Sequence, residues 1–178
     1  MLLRMIDDIN LCLSVGAYSA ALSLVLMIPD ICGRAEYGNI KVGIRYKRWY
    51  EEYIGKYEPY SMDEYHADAA NITGEVLYNL RNNVLHQGNA DVNKEKIKNP
   101  RDKIDRFIIE YETDNESGHA ATAITRKKNL GTSTEEYREL VINLNTLCRK
   151  LCAVAKSYYE DNKDKFDFFT YQFEQAKE

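Results

Sequence analysis

From Tyr137 onward the side chains Val141, Leu144, Cys148, Leu151, Ala155 and Tyr158 follow one another in alternating steps of four and three. That spacing brings the whole set to one side of a helix, so it predicts a long amphipathic helix packed along most of its length. Ser133 and Glu136, three residues apart, form a capping-box pair that sets its expected start. A helix with so long an apolar stripe has to be buried against other elements, and the rest of the chain supplies further helical patterns. Leu2, Ile6, Ile9 and Leu13 recur at helical spacing, as do Ala17, Ala20, Leu24, Met27 and Ile31 beyond a break at Val15-Gly16. These read as a helical hairpin. Pro29 lacks a backbone donor and predicts a kink or restart near Ile28, after which Gly33 and Gly38 are expected to loosen the chain.

A third helix is expected over Ile44 to Tyr53, where Tyr46, Trp49, Tyr50 and Tyr53 make an aromatic stripe opposite Lys47, Arg48, Glu51 and Glu52. Tyr57-Glu58-Pro59 ends it. A fourth helix is expected from about Ala67 to Gln87, with Gly88 as its C-terminal cap. The polar stretch Asp91 to Pro100 reads as a loop. Phe107, Ile109, Tyr111 and Thr113 then alternate with period two, Asn115 to Gly118 reads as a turn, and Ala121 to Arg126 returns, which predicts an antiparallel hairpin inserted at about 104–127. The fold class is therefore mainly α, a helical bundle with a small β-hairpin insertion. A chain of 178 residues, 44% hydrophobic, fits a single domain over 1–178. The aromatic tail DFFTYQFEQAKE is expected to dock on it.

Charge narrows the function classes. A formal charge of -4 and a pI near 5.5 argue against a protein that coats nucleic acid without specificity, which needs many phosphate neutralisations. Cys12, Cys32, Cys148 and Cys152 show no CxxC spacing and read as reduced core residues of a cytoplasmic protein. The run AALSLVLMI is too short to span a bilayer and follows Asp7 and Asp8, so neither a membrane span nor a secretion signal is expected. His66 and His119 belong to no metal-ligand pattern, Cys148 and Cys152 lack a further ligand in register, and no phosphate-binding glycine loop or nucleophile elbow occurs. No metal and no cofactor are expected.

The segment EVLYNLRNNVLHQGN, residues 75–89, stands out. On a regular helix Val76, Leu77, Leu80 and Val84 converge on one side, while Glu75, Asn79, Asn82 and His86 line up on the other as an outward polar seam. Arg81 sits beside that seam, about 140° from His86. Asparagine disfavours helix, so Asn79, Asn82 and Asn83 weaken this one without a local structural gain, as happens at functional sites. The plain reading is a helix end, with Arg81 and His86 set favourably against the macrodipole.

Arg81-Asn82-Asn83-Val84-Leu85-His86 resembles the R-x4-H motif of the HEPN superfamily, and the opening INLCLSVGAYSAALSLVL is similar to that family's start. The resemblance implies a HEPN-like helical bundle that dimerises so that two motifs share one cleft. It implies a metal-independent endoribonuclease of the toxin-antitoxin or phage-defence kind, in which His86 serves as acid and base and Arg81 stabilises the phosphate. Asn82 would hold a phosphate or orient His86, with Asn79, Glu75 and Asn83 as further binding or orienting residues. The partners implied are RNA, a second copy of the chain, and a cognate antitoxin or nucleotidyltransferase. The alternative is a non-catalytic module of the same family that binds a partner protein or nucleotide. Separately, RYKRWYEEYIGKY interleaves bases with aromatics. Its one-sided aromatic stripe favours core packing over base stacking, with Arg45, Lys47 and Arg48 left as a positive flank for a nearby cleft.

Overall fold

The computed structural model describes residues 1–57, 72–92, 94–111, 121–129 and 134–170. Its described residues are mainly helical, with six α-helices and a small sheet: α1 (Leu2–Ser14), α2 (Tyr18–Val25), α3 (Ile28–Tyr37), α4 (Val42–Tyr53), α5 (Gly74–Asn82), β1 (Arg106–Glu110), β2 (Ala121–Asn129), β3 (Thr134–Asn143) and α6 (Leu144–Asp161). Among these residues no helix is long and apolar enough to cross a membrane.

The expected hairpin of the first two helices is present, and Gly16, at φ 74°, makes the turn between them. Pro29 restarts the chain as α3 within that helix's first turn, where its missing N–H costs nothing. Gly33 corrects the expectation of loosening. It lies buried inside α3, where an added Cβ would stand 2.7 Å from the carbonyl oxygen of Arg45, so its bare backbone lets α3 and α4 cross closely. Gly38 does end α3, at φ 69°. On α4 the aromatic stripe packs inward as expected: Tyr46, Trp49 and Tyr50 are buried, and Tyr46 donates to the carbonyl of Leu26.

The sheet departs from the simple hairpin. Its strand order is β1-β3-β2, with β1 parallel to β3 and β2 antiparallel to β3, so the two strands expected to pair are not neighbours. The central strand occupies residues 134–143, where a helix was expected to begin. Leu140, Val141 and Ile142 are consecutive and all buried, as a strand covered on both faces requires. Glu136, the expected capping residue, instead pairs across the sheet with Lys127 at 3.0 Å, and Ser133 lies outside the described residues. The helix starts at Leu144, and its cap is Asn143, whose side-chain oxygen accepts from the Thr146 N–H at 2.9 Å. From there Leu144, Cys148, Leu151, Ala155 and Tyr158 form the expected buried stripe.

One core draws on all six helices and the sheet, from Leu2 and Ile9 through Trp49 and Leu77 to Phe107, Ile142 and Leu151. Cys32, Cys148 and Cys152 are free thiols within it, and burial pushes the Cys152 thiol up to about 11. After α6 the chain turns at Lys163–Phe166 and buries Phe166 against Tyr158 and Tyr159. Phe168 packs on this cluster under the Arg34 guanidinium, 4.7 Å from the ring centre, so the first part of the aromatic tail docks; 171–178 lie outside the described residues.

Candidate active site

The segment singled out by its asparagines opens as α5, and its beginning is fixed by backbone contacts. Thr73 caps the helix by accepting from the Val76 N–H, and Glu51 of α4 accepts from the Gly74 N–H at 2.5 Å. Gly74 lies against α4 so closely that an added Cβ would stand 2.6 Å from the Lys47 carbonyl oxygen. Val76, Leu77 and Leu80 are buried, as their shared face requires. The helix begins at Gly74, later than the expected start near Ala67, because Thr73 is extended and caps it; Ala67 itself lies outside the described residues.

The outward seam is broken. Asn79 is 6% exposed, and its amide donates back to the Glu75 carbonyl at 2.9 Å. Asn83 is 5% exposed, and its amide donates to the Asp91 carbonyl at 2.7 Å. Glu75 accepts from the Lys98 N–H at 2.8 Å and pairs with Lys47 at 3.4 Å. For Glu75 and Asn83 the partner is the polar stretch after the helix, which folds back on α5 through the Lys98 N–H and the Asp91 carbonyl, with Ile97 at 1% exposure. Glu75 and Asn83 therefore brace that stretch, and Asn79 is an internal residue.

Arg81 and His86 do meet. Past Asn82 the helix widens into a π-turn, Asn83–Gln87, closed by the Gly88 N–H donating to the Asn83 carbonyl at 2.8 Å. Gly88, at φ 63°, is the left-handed terminator expected there. Widening the turn rotates His86 back toward Arg81, and the 140° of a regular helix becomes a contact of 3.1 Å between Arg81 Nη1 and His86 Nε2. The same Nη1 donates to Asn82 Oδ1 at 3.0 Å. A guanidinium has only donors, so Nε2 is the acceptor and the ring proton sits on Nδ1. His86 is exposed and Arg81 half-buried. The Arg81 guanidinium carbon lies 5.9 Å from the centre of the Tyr78 ring, and its Nε is buried without a hydrogen-bond partner among the described residues. Tyr78 in turn packs on Tyr46, with ring centres 5.2 Å apart.

Each cation of the expected positive flank pairs with a carboxylate. Arg45 is buried, donating to Asp30 at 2.6 Å and to the Ile40 carbonyl at 2.9 Å; Arg48 pairs with Glu52 and Lys47 with Glu75. Of these three, Arg45 is drawn in with the buried aromatics of α4, whereas the Arg48 side chain stays 57% exposed and that of Lys47 37% exposed. His66 and His119 lie outside the described residues. A cavity of about 560 Å³ opens between α1 and α6, lined in part by Asp7, Asn10, Arg149 and Lys156, and shares no residue with the Arg81–His86 pair.

The arrangement offers an exposed imidazole, a guanidinium in contact with it, and an amide on the same guanidinium nitrogen, a set able to bind an oxyanion and exchange a proton beside it. The sequence did not reveal the π-turn, although the five-residue step from Arg81 to His86 is the spacing that such a turn brings together. No family model, curated protein or solved structure matches this chain.

Proposed function

We propose that the chain is a metal-independent endoribonuclease of HEPN type, acting through Arg81 and His86 as a homodimer. The observation that carries the reading is the 3.1 Å contact of Arg81 with His86 at an irregular helix end. π-turns in helices occur frequently at functional sites, which supports the reading. In the proposed reaction an RNA phosphate takes the Arg81 N–H that now bonds Nε2. The freed Nε2 lone pair accepts the proton of the 2'-OH, whose oxygen attacks phosphorus. The bond to the 5'-oxygen breaks, and that oxygen takes up a proton as it leaves, so the products carry a 2',3'-cyclic phosphate and a 5'-hydroxyl. Arg81 and Asn82 hold the developing charge, the contribution that usually dominates such a rate. A twofold pairing of chains would bring a second His86 to protonate the leaving oxygen.

The test is cleavage of RNA by purified protein in chelator, with the ends analysed. Cyclic or 3' phosphate is expected, and His86→Ala should abolish cutting while the circular dichroism spectrum stays unchanged. Cutting that persists in the variant refutes the assignment of His86. A second reading is a non-catalytic module that binds a partner protein or nucleotide through the same surface. It is favoured by the commitment of Arg81 Nη1 to both Asn82 and His86, which makes the pair a fixed contact patch. It predicts no cleavage at any enzyme concentration and a complex weakened by Arg81→Ala.

A further inference from the structure

We infer that Asn83 is a positioning residue: by tying the π-turn to the edge of the sheet, it holds His86 against Arg81 and fixes the imidazole in the Nδ1–H form. Its importance for catalysis rests on the ribonuclease reading, whereas the conformational claim stands without it.

A regular helix would leave His86 facing away from Arg81, so something has to hold the wider turn open. Asn83 is the first residue of that turn, and its carbonyl closes it by accepting from Gly88. Its buried side chain leaves the helix altogether and donates to the Asp91 carbonyl at 2.7 Å, eight residues on. That acceptor is itself fixed. Asp91 bridges to Arg106 of β1, the Phe107 N–H donates to the Ala90 carbonyl at 2.9 Å, and the Val92 N–H donates to the Asp105 carbonyl at 2.9 Å. The returning chain thus runs beside β1, and Asn83 is the side chain that binds the turn to it. The helix-weakening asparagine of the sequence has its return here, since a buried amide with a fixed carbonyl acceptor holds a geometry that no helix-favouring side chain at this position would hold.

The consequence is chemical. With Nε2 accepting from Arg81, the imidazole rests in one tautomer, and its base function stays covered until an anion draws Arg81 away. Without the tie, the turn reverts toward regular helix, His86 rotates off Arg81, and the ring is free to choose its tautomer.

Long-range proton–nitrogen correlation spectra of uniformly 15N-labelled protein, recorded about 1.5 pH units above the ordinary histidine value, read the tautomer directly. His86→Gln identifies the signal among His66, His86 and His119. In the wild type, Nδ1 is expected to carry the proton. In Asn83→Asp, which keeps the shape and loses the donor, and in Asn83→Ala, the pattern is expected to move toward Nε2–H. Asp91→Ala should leave it unchanged, because the acceptor is the main-chain carbonyl. With an RNA substrate, kcat of the Asn83 variants should fall by roughly 100-fold with KM little altered, the penalty of a misplaced catalytic group. A wild-type His86 in the Nε2–H form, or an Asn83→Asp protein that keeps the Nδ1–H form, overturns the inference. A wild type that shows the tautomer and cuts no RNA overturns the nuclease reading and leaves the positioning role intact.

Discussion

Gly74 lies where the site-bearing helix crosses α4, and replacing it by alanine sets two opposed effects against each other. Alanine restricts the unfolded chain and favours helix, a gain of about 0.4–1 kcal/mol where the native backbone accepts it. The added methyl, however, would stand 2.6 Å from the Lys47 carbonyl oxygen and 2.9 Å from the Lys47 Cα. Both are backbone atoms, so no rotamer change relieves the contact. Ordinary contact begins at 3.4 Å, which asks α5 and α4 to separate by about 0.8 Å (3.4 less 2.6) at their crossing. Overpacking of this kind costs about 1–3 kcal/mol. The same movement stretches the hydrogen bond from the Gly74 N–H to Glu51, whose full loss costs about 1.5–3 kcal/mol. Cost outweighs gain, for a net destabilisation of about 1–3 kcal/mol. For a chain of this size that lowers the Tm by roughly 3–10 °C. Urea denaturation followed by tryptophan fluorescence measures it well, since Trp49 is fully buried on the same helix α4. A Gly74→Ala protein that melts at or above the wild type, with an unchanged denaturant slope, would refute the close crossing.

Two further predictions concern pH and run in opposite directions. Burial raises the Asp102 carboxyl above its ordinary value of 3.8, against the Asn99 amide that favours its charged form, and its Oδ1 has no hydrogen-bond partner among the described residues. A raised carboxyl binds its proton more tightly in the folded chain, so stability falls as pH rises from 3.8 through the folded value. Asp102→Asn should remove that decline and be the more stable protein at neutral pH; urea midpoints from acid to neutral pH would expose an error as two parallel curves. The hydrogen bond from Lys165, followed by that from Tyr158, holds the Glu36 carboxyl below its ordinary value of 4.5. Its contribution is present above 4.5 and is lost as pH falls through the folded value. Glu36→Gln should flatten that acid limb and speed amide exchange across Lys163–Phe166, and unchanged exchange there would count against the brace.

What the sequence made legible depended on how local its cause was. The aromatic stripe of α4 and the Val76, Leu77 and Leu80 face of α5 were readable because each buries one side of a single helix. The stretch from Tyr137 to Leu144 was misleading because steps of four and three fit a helix, while the telling signal was the unbroken run Leu140-Val141-Ile142, which one helical face does not hold. Alternation over Phe107, Ile109, Tyr111 and Thr113 marked a strand, which ends at Glu110 with Thr113 outside the described residues, yet it carried nothing about the partner, which lies some thirty residues on and runs parallel. At the site, the motif brought Arg81 and His86 to attention as a pair. Their contact was beyond a wheel of fixed pitch, because the turn that creates it is tied to Asp91 in a segment that reads as free loop. The same segment, by folding back, engages Glu75 of the expected seam and Asn83 beside it, while Asn79 is buried with its amide turned back onto the Glu75 carbonyl.

Asn143 ends the central strand, opposite Glu110, and its side chain opens α6. A slip of one residue in that strand would therefore be registered twice. It would turn Leu140 and Ile142 to the opposite side of the sheet, and it would strip the first turn of an eighteen-residue helix of its cap. Insertions and deletions should for that reason be far less tolerable between Thr134 and Asn143 than in either flanking strand, because sheet and helix share one ruler and neither can be recalibrated alone.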